Sequence, residues 1–84
     1  MPLSELWRSR CIGGKIPVSP IHQDFPALLA EALDVLAACD MHLTTAAPLL
    51  QVTASQLTRF LKLEPRALQL VNDRRRSAGH PPLR

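Results

Sequence analysis

The chain has 84 residues, room for one domain with a thin core. Its aromatics are only Trp7, Phe25 and Phe60, too few for a stacking platform of the single-strand-binding kind, and no apolar run approaches a membrane span. The formal net charge of +3 is laid out unevenly: three basic residues against Glu5 up to Lys15, four acids and no Lys or Arg over 16–58, then seven basic residues against Glu64 and Asp73 from Arg59 onward. That last third is the expected contact surface for a polyanion, with an ordinary solvated Arg surface as the plainer alternative.

Cys11 and Cys39 form no close pair, and residues 1–15 carry charges where a secretory leader needs an apolar stretch. A cytoplasmic protein with two free thiols is therefore expected. Residues 1–23 read as a short N-terminal helix and an extended connector. Ser4 is placed to cap the helix, Glu5 suits its first turn, and Gly13 follows its end. Trp7 is expected to cover the edge of the core with its ring N–H exposed. Gly13-Gly14-Lys15 lacks the spacing and flanking elements of a phosphate loop, because Lys15 is followed by Ile16 and Pro17. The prolines over 16–20 keep the connector extended.

Residues 24–79 read as a helical domain. Asp24 is placed to cap the first of its helices, with Pro26 in the first turn. Leu28, Leu29, Ala32, Leu33, Val35, Leu36 and Cys39 make one wide apolar face, so this helix, running to about Cys39, is expected to be the central packing element. Leu33 and Leu36 are the expected core positions.

Residues 43–63 read as a helix-turn-helix. Ala46, Ala47, Leu49 and Leu50 form a short helix packed behind a better defined second one, and Val52 plugs the turn. Thr53-Ala54-Ser55-Gln56 is a capping box, in which Thr53 accepts from the amide of Gln56 and Gln56 reaches back to the amide of Thr53. Leu57, Phe60 and Leu61 share the inner face, while Ser55, Gln56, Arg59 and Lys62 point outward with hydrogen-bonding groups. Gln51 stands where such turns often have Gly, so it needs a positive φ. Pro48 is tolerated if its helix starts near Thr44 or Thr45, leaving it in the first turn. Pro65 starts a last helix that ends at Gly79, with Ala67, Leu68 and Val71 inward. Arg74, Arg75 and Arg76 fan around its last turns, and their joint replacement is expected to leave the melting temperature little changed. Residues 80–84 form an extended tail. The fold class is thus all-α, a small helical domain containing a helix-turn-helix.

Catalysis needs a positioned acid, base or nucleophile, and no such set is evident. Cys11, His22, Cys39 and His42 offer zinc-type ligands, with Cys39 and His42 at ligand spacing. Cys39 fits an apolar helix face equally well, and no metal or other cofactor is expected.

The segments Ser4-Glu5-Leu6-Trp7-Arg8-Ser9-Arg10-Cys11, Gly13-Gly14-Lys15-Ile16-Pro17-Val18, Asp24-Phe25-Pro26-Ala27-Leu28-Leu29-Ala30-Glu31-Ala32-Leu33-Asp34-Val35-Leu36, Ser55-Gln56-Leu57, Leu61-Lys62-Leu63-Glu64-Pro65-Arg66-Ala67-Leu68, and Val71-Asn72 with Pro82-Leu83-Arg84 carry a resemblance. Over nearly its whole length the chain resembles the region that follows the catalytic domain in bacterial peptide-chain-release-factor-like proteins. In that family a Gly-Gly-Gln loop promotes peptidyl-tRNA hydrolysis on the ribosome. Here Gly13-Gly14 is followed by Lys15, so the resemblance implies a helical extension without the hydrolytic part, whether a fragment, a separately started module or a stand-alone relative.

The expected function is a non-enzymatic accessory module of a translation termination or ribosome-rescue protein. It would contact ribosomal RNA or tRNA through Ser55, Gln56, Arg59, Lys62, Arg66, Arg74, Arg75 and Arg76, with a Gly-Gly-Gln domain encoded upstream as a further partner. A DNA-binding regulator and a protein-interaction or packing domain are the alternatives. The absence of an evident dimerisation helix weighs against DNA.

Overall fold

Local capping rules account for most of the helix boundaries. The computed structural model describes residues 3–84; positions 1 and 2 of the expected N-terminal segment lie outside the described residues. In chain order the described residues form five helices: α1 (Glu5–Arg10), α2 (Phe25–Ala38), α3 (Leu43–Leu49), α4 (Ala54–Lys62) and α5 (Pro65–Ser77). Among the described residues there is no strand beyond an isolated bridge between Ile12 and Lys15, so the fold is all-α. No helix among the described residues is long and apolar enough to cross a membrane.

Ser4 caps α1 by accepting from the amide of Trp7 at 3.0 Å. Thr53 caps α4 in the same way, accepting from the amide of Gln56 at 3.1 Å. The second half of the expected capping box is replaced: the Thr53 amide donates not to Gln56 but to the carbonyl of Gly14 at 3.1 Å. Asp24 does not cap α2. Its backbone is already helical, φ −84° and ψ −11°, which carries the carboxylate away from the first-turn amides. That carboxylate accepts from Arg10 instead, at 2.8 Å. Pro65 opens α5, with the Glu64 carboxylate accepting from the Arg66 amide at 3.3 Å.

Three helices end alike. After α2, α3 and α5 a left-handed residue follows the cap: Asp40 at φ 52°, Gln51 at 59° and Gly79 at 84°. The next amide then returns to the third-last helical carbonyl, Met41 to Leu36, Val52 to Ala47 and His80 to Arg75, in the Schellman pattern. Met41 and Val52 are thereby turned into the core. The expected positive φ at Gln51 is found. Pro48 departs from expectation, because α3 starts at Leu43 and Pro48 falls in its second turn. The carbonyl of exposed Thr44 therefore lacks a helical partner, and its exposure leaves that carbonyl open to water.

The core is a single cluster to which every helix contributes. Leu28, Ala32, Val35 and Leu36 from α2 meet Leu43, Ala46 and Ala47 from α3, Leu57, Phe60 and Leu61 from α4, and Val71 from α5. Leu36 is fully buried, whereas Leu33 is only partly buried at the edge, so the two positions expected to be core are unequal. Leu49 also departs from expectation, facing solvent from the outer side of α3.

Trp7 is the largest correction. It is fully buried, and its indole N–H donates to the carbonyl of Leu50 at 2.7 Å. The ring meets Phe60 edge-on, centroids 5.8 Å apart, and Phe60 lies 5.5 Å from Phe25. Ser4 donates through its amide and hydroxyl to Glu31, fastening the start of α1 to α2. The tail is extended but not loose. The Asn72 amide accepts from Leu83 N at 2.7 Å and donates to Leu83 O at 3.3 Å, and the Leu83 side chain packs on the core.

Two outcomes follow for stability, each read by urea or thermal unfolding. Leu36→Ala should cost about 2–5 kcal/mol, and Leu33→Ala distinctly less, because its site is already partly wet. Gln51→Gly should stabilise by about 0.5–1 kcal/mol, since the left-handed backbone is unfavourable for Gln and its exposed side chain holds no hydrogen bond.

Candidate nucleic-acid interface

α4 buries Leu57, Phe60 and Leu61 and thereby turns Ser55, Arg59 and Lys62 to solvent, with Gln56 half-buried between them. A groove runs along each side of this outward face. The first is lined by Lys15, Ile16, Pro17, Gln56, Arg59 and Leu63 and encloses about 340 Å³. The second is wider and includes Thr44, Ser55, Thr58, Arg59, Lys62 and Arg84 in its walls. Arg59 stands between them and lines both.

No Asp or Glu side chain among the described residues lines either groove. Among the described residues the ion pairs engage Arg10, His22, Arg66 and Arg76, and none engages Lys15, Arg59 or Lys62. The cations beside α4 are therefore uncompensated, and a polyanion laid there meets positive charge without a facing carboxylate.

Of the eight residues expected to contact nucleic acid, Ser55, Gln56, Arg59, Lys62 and Arg75 line the two grooves beside α4, and Arg66, Arg74 and Arg76 line neither. Ser55, Gln56, Arg59 and Lys62 come together on α4. Arg66 is held by Glu64 at 3.3 Å, and Arg76 by Asp73 at 2.6 Å. Arg74 lies at a separate shallow hollow with Ala37, Asp40 and Met41.

Arg75 also lines the second groove, and two of its five N–H donors bond backbone carbonyls. Its guanidinium donates to the carbonyl of Met41 at 2.8 Å and to that of Pro81 at 3.0 Å. It thus ties the left-handed turn after α2 to the tail. Against the expectation that joint replacement of the three arginines leaves melting little changed, this geometry gives Arg75 a structural role.

Lys15 was not among the expected contact residues. It follows two glycines at φ 57° and 79°, the pattern of a two-residue type I′ turn, and Ile12 and Lys15 exchange both backbone hydrogen bonds across it. The Gly13-Gly14 pair was the available signal. Its docking onto Thr53 is what brings Lys15 beside α4.

Three of the four Cys and His residues considered for zinc engage different partners. Cys11 Sγ donates to the carbonyl of Gln51 at 3.2 Å, and partial burial pushes its thiol up from the ordinary value, keeping it a donor. His22 adjoins Arg10 and Asp24, and His42 pairs with His80 at 2.7 Å. Among the described residues no group of three or more His, Cys, Asp or Glu side chains has the arrangement to hold a metal ion.

No family model, curated protein or solved structure matches the chain.

The two classes of arginine should separate in an unfolding experiment. Arg75→Ala should cost about 1.5–3 kcal/mol, the range for hydrogen bonds from a charged group. Arg74→Ala and Arg76→Ala should each stay within about 0.5 kcal/mol of the parent.

Proposed function

We propose that this chain is a non-catalytic module that contacts ribosomal RNA or tRNA, belonging to a release-factor-like protein of translation termination or ribosome rescue. The observation that carries the reading is the outward face of α4: four hydrogen-bonding side chains between two grooves that hold cations and no carboxylate. Phosphate attracts such a surface whatever the sequence, and the released counterions make binding steeply salt-dependent. Lys and Arg supply the charge, while Ser55 and Gln56 can both donate and accept, as a ribose 2′-hydroxyl requires. The likeness of residues 4–84 to the helical region of release-factor-like proteins supports the translation setting. A Gly-Gly-Gln domain supplied by a neighbouring chain or segment would then carry the hydrolysis.

A second reading rests on the same helix. α3, the turn at 50–53 and α4 follow the order of a helix-turn-helix, and Ser55, Gln56 and Arg59 near the start of α4 suit base edges in a DNA major groove.

A titration over several salt concentrations separates these. Replacing Arg59 and Lys62 together by Gln should weaken binding to a ribosomal or transfer RNA and flatten the salt slope by about two units. Replacing Ser55 and Gln56 by Ala should leave the slope unchanged. If the Ser55–Gln56 variant instead loses discrimination among DNA sequences, DNA is the target. Unchanged affinity and slope in the Arg59–Lys62 variant would leave only the packing role.

A further inference from the structure

We propose that the α4 surface is built for a double-stranded nucleic acid, with one phosphate strand in each groove and the Gly13-Gly14 turn presenting Lys15 to one of them. The proposal rests on the nucleic-acid reading above and adds to it the form of the ligand and a contact residue outside the helix.

The argument begins with the arrangement of charge. Lys15 lines only the first groove, Lys62 only the second, and Arg59 lines both. The cations therefore stand on two tracks with the body of α4 between them. An α-helix with its side chains is about 10–12 Å across, so the two tracks are set apart by something like that width. A single strand has one backbone and would follow one track. A duplex presents two backbones flanking a groove, and a helix seated in that groove meets both.

The position of Lys15 is fixed rather than incidental. Both glycines of its turn have positive φ, which other residues adopt at a cost, and Ile12 and Lys15 close the turn with hydrogen bonds of 2.9 and 3.0 Å. The carbonyl of Gly14 accepts from the Thr53 amide at 3.1 Å, so the turn is fastened to the residue that caps α4. A Cβ at Gly14 would lie 3.5 Å from the methyl of Thr53, so a side chain there would rest against that residue. The Lys15 turn is thus hydrogen-bonded to the start of α4. Lys15 itself is exposed and pairs with no carboxylate among the described residues.

The aromatic inventory points the same way. Trp7, Phe25 and Phe60 are all buried, and Phe60, which lines the first groove, is only 2% exposed, so neither groove offers an open Phe, Tyr or Trp face for an unpaired base. On an RNA stem α4 would lie across the wide, shallow minor groove, and on DNA in the major groove.

The test uses the full chain and three probes of equal length: an RNA hairpin stem, a DNA duplex and a single strand without secondary structure. Binding is titrated over a range of salt for the parent, Lys15→Gln, Lys62→Gln and the double variant, with Arg66→Gln as a control on an exposed cation that lines neither groove and pairs with Glu64. The proposal expects a duplex to bind more tightly than the single strand. It expects each single variant to lower the duplex salt slope by about one unit, the double variant by about two, and Arg66→Gln by none. Preference for the DNA duplex over the RNA stem would keep the duplex proposal and remove the RNA reading. A single strand that binds as well as either duplex, or a silent Lys15→Gln beside an effective Lys62→Gln, would overturn the duplex proposal and leave the general nucleic-acid reading standing. Binding of no probe by the parent would overturn both.

Discussion

The turn between α3 and α4 depends on groups that lie some forty residues away. A helix end leaves carbonyls without intrahelical partners, and one of those after α3 is the carbonyl of Leu50, a fully buried residue. An unpaired carbonyl there would cost about 1–3 kcal/mol. The indole of Trp7 satisfies it, the thiol of Cys11 satisfies that of Gln51, and the carbonyl of Gly14 takes the Thr53 amide on the other side of the turn. The N-terminal segment is thus the backbone partner of the α3–α4 turn. The direction in which α4 leaves that turn, and so what its outer face presents, depends on it.

The same clamp links packing to charge. Trp7 packs on Phe60, and Phe60 on Phe25, so α1 and α2 hold the inner face of α4 while Lys62 and Arg59 remain outside. The turn that carries Lys15 is docked by the same Thr53 that caps the helix. At the opposite end Arg75 joins the turn after α2 to the tail, and Asn72 holds Leu83. In so small a domain few residues are left for the core alone, and charged or polar side chains take on the work of fixing loops.

Local chemistry was legible in the sequence. Ser4 and Thr53 as caps, Pro65 at the start of α5, Gly79 after its end and the strained backbone at Gln51 each follow from a residue and its near neighbours. The apolar spacing of Leu28, Ala32, Val35 and Leu36 gave the buried face of α2 for the same reason. What could not be read were the pairings across the chain. The partner of the Trp7 ring is a backbone carbonyl 43 positions away, which no side-chain pattern records. Asp24 had the right identity for a cap but found a stronger partner in Arg10. The three consecutive arginines look equivalent in sequence, yet one bonds carbonyls, one a carboxylate, and one lies at a shallow hollow. Ser55, Gln56, Arg59 and Lys62, set by the period of a single helix, came together as the spacing implied, and Arg75 from α5 joins Ser55, Arg59 and Lys62 in the second groove.

The most direct test of the clamp is native-state hydrogen exchange by NMR, following the Trp7 indole proton and the Thr53 amide together. If the N-terminal segment holds the α3–α4 turn, both protons should exchange only with global unfolding, as slowly as the amides of the buried middle of α2. An indole proton that exchanges within seconds while the α2 amides stay protected would contradict the account, because it would place the Trp7 ring edge in water and leave the turn without its partner.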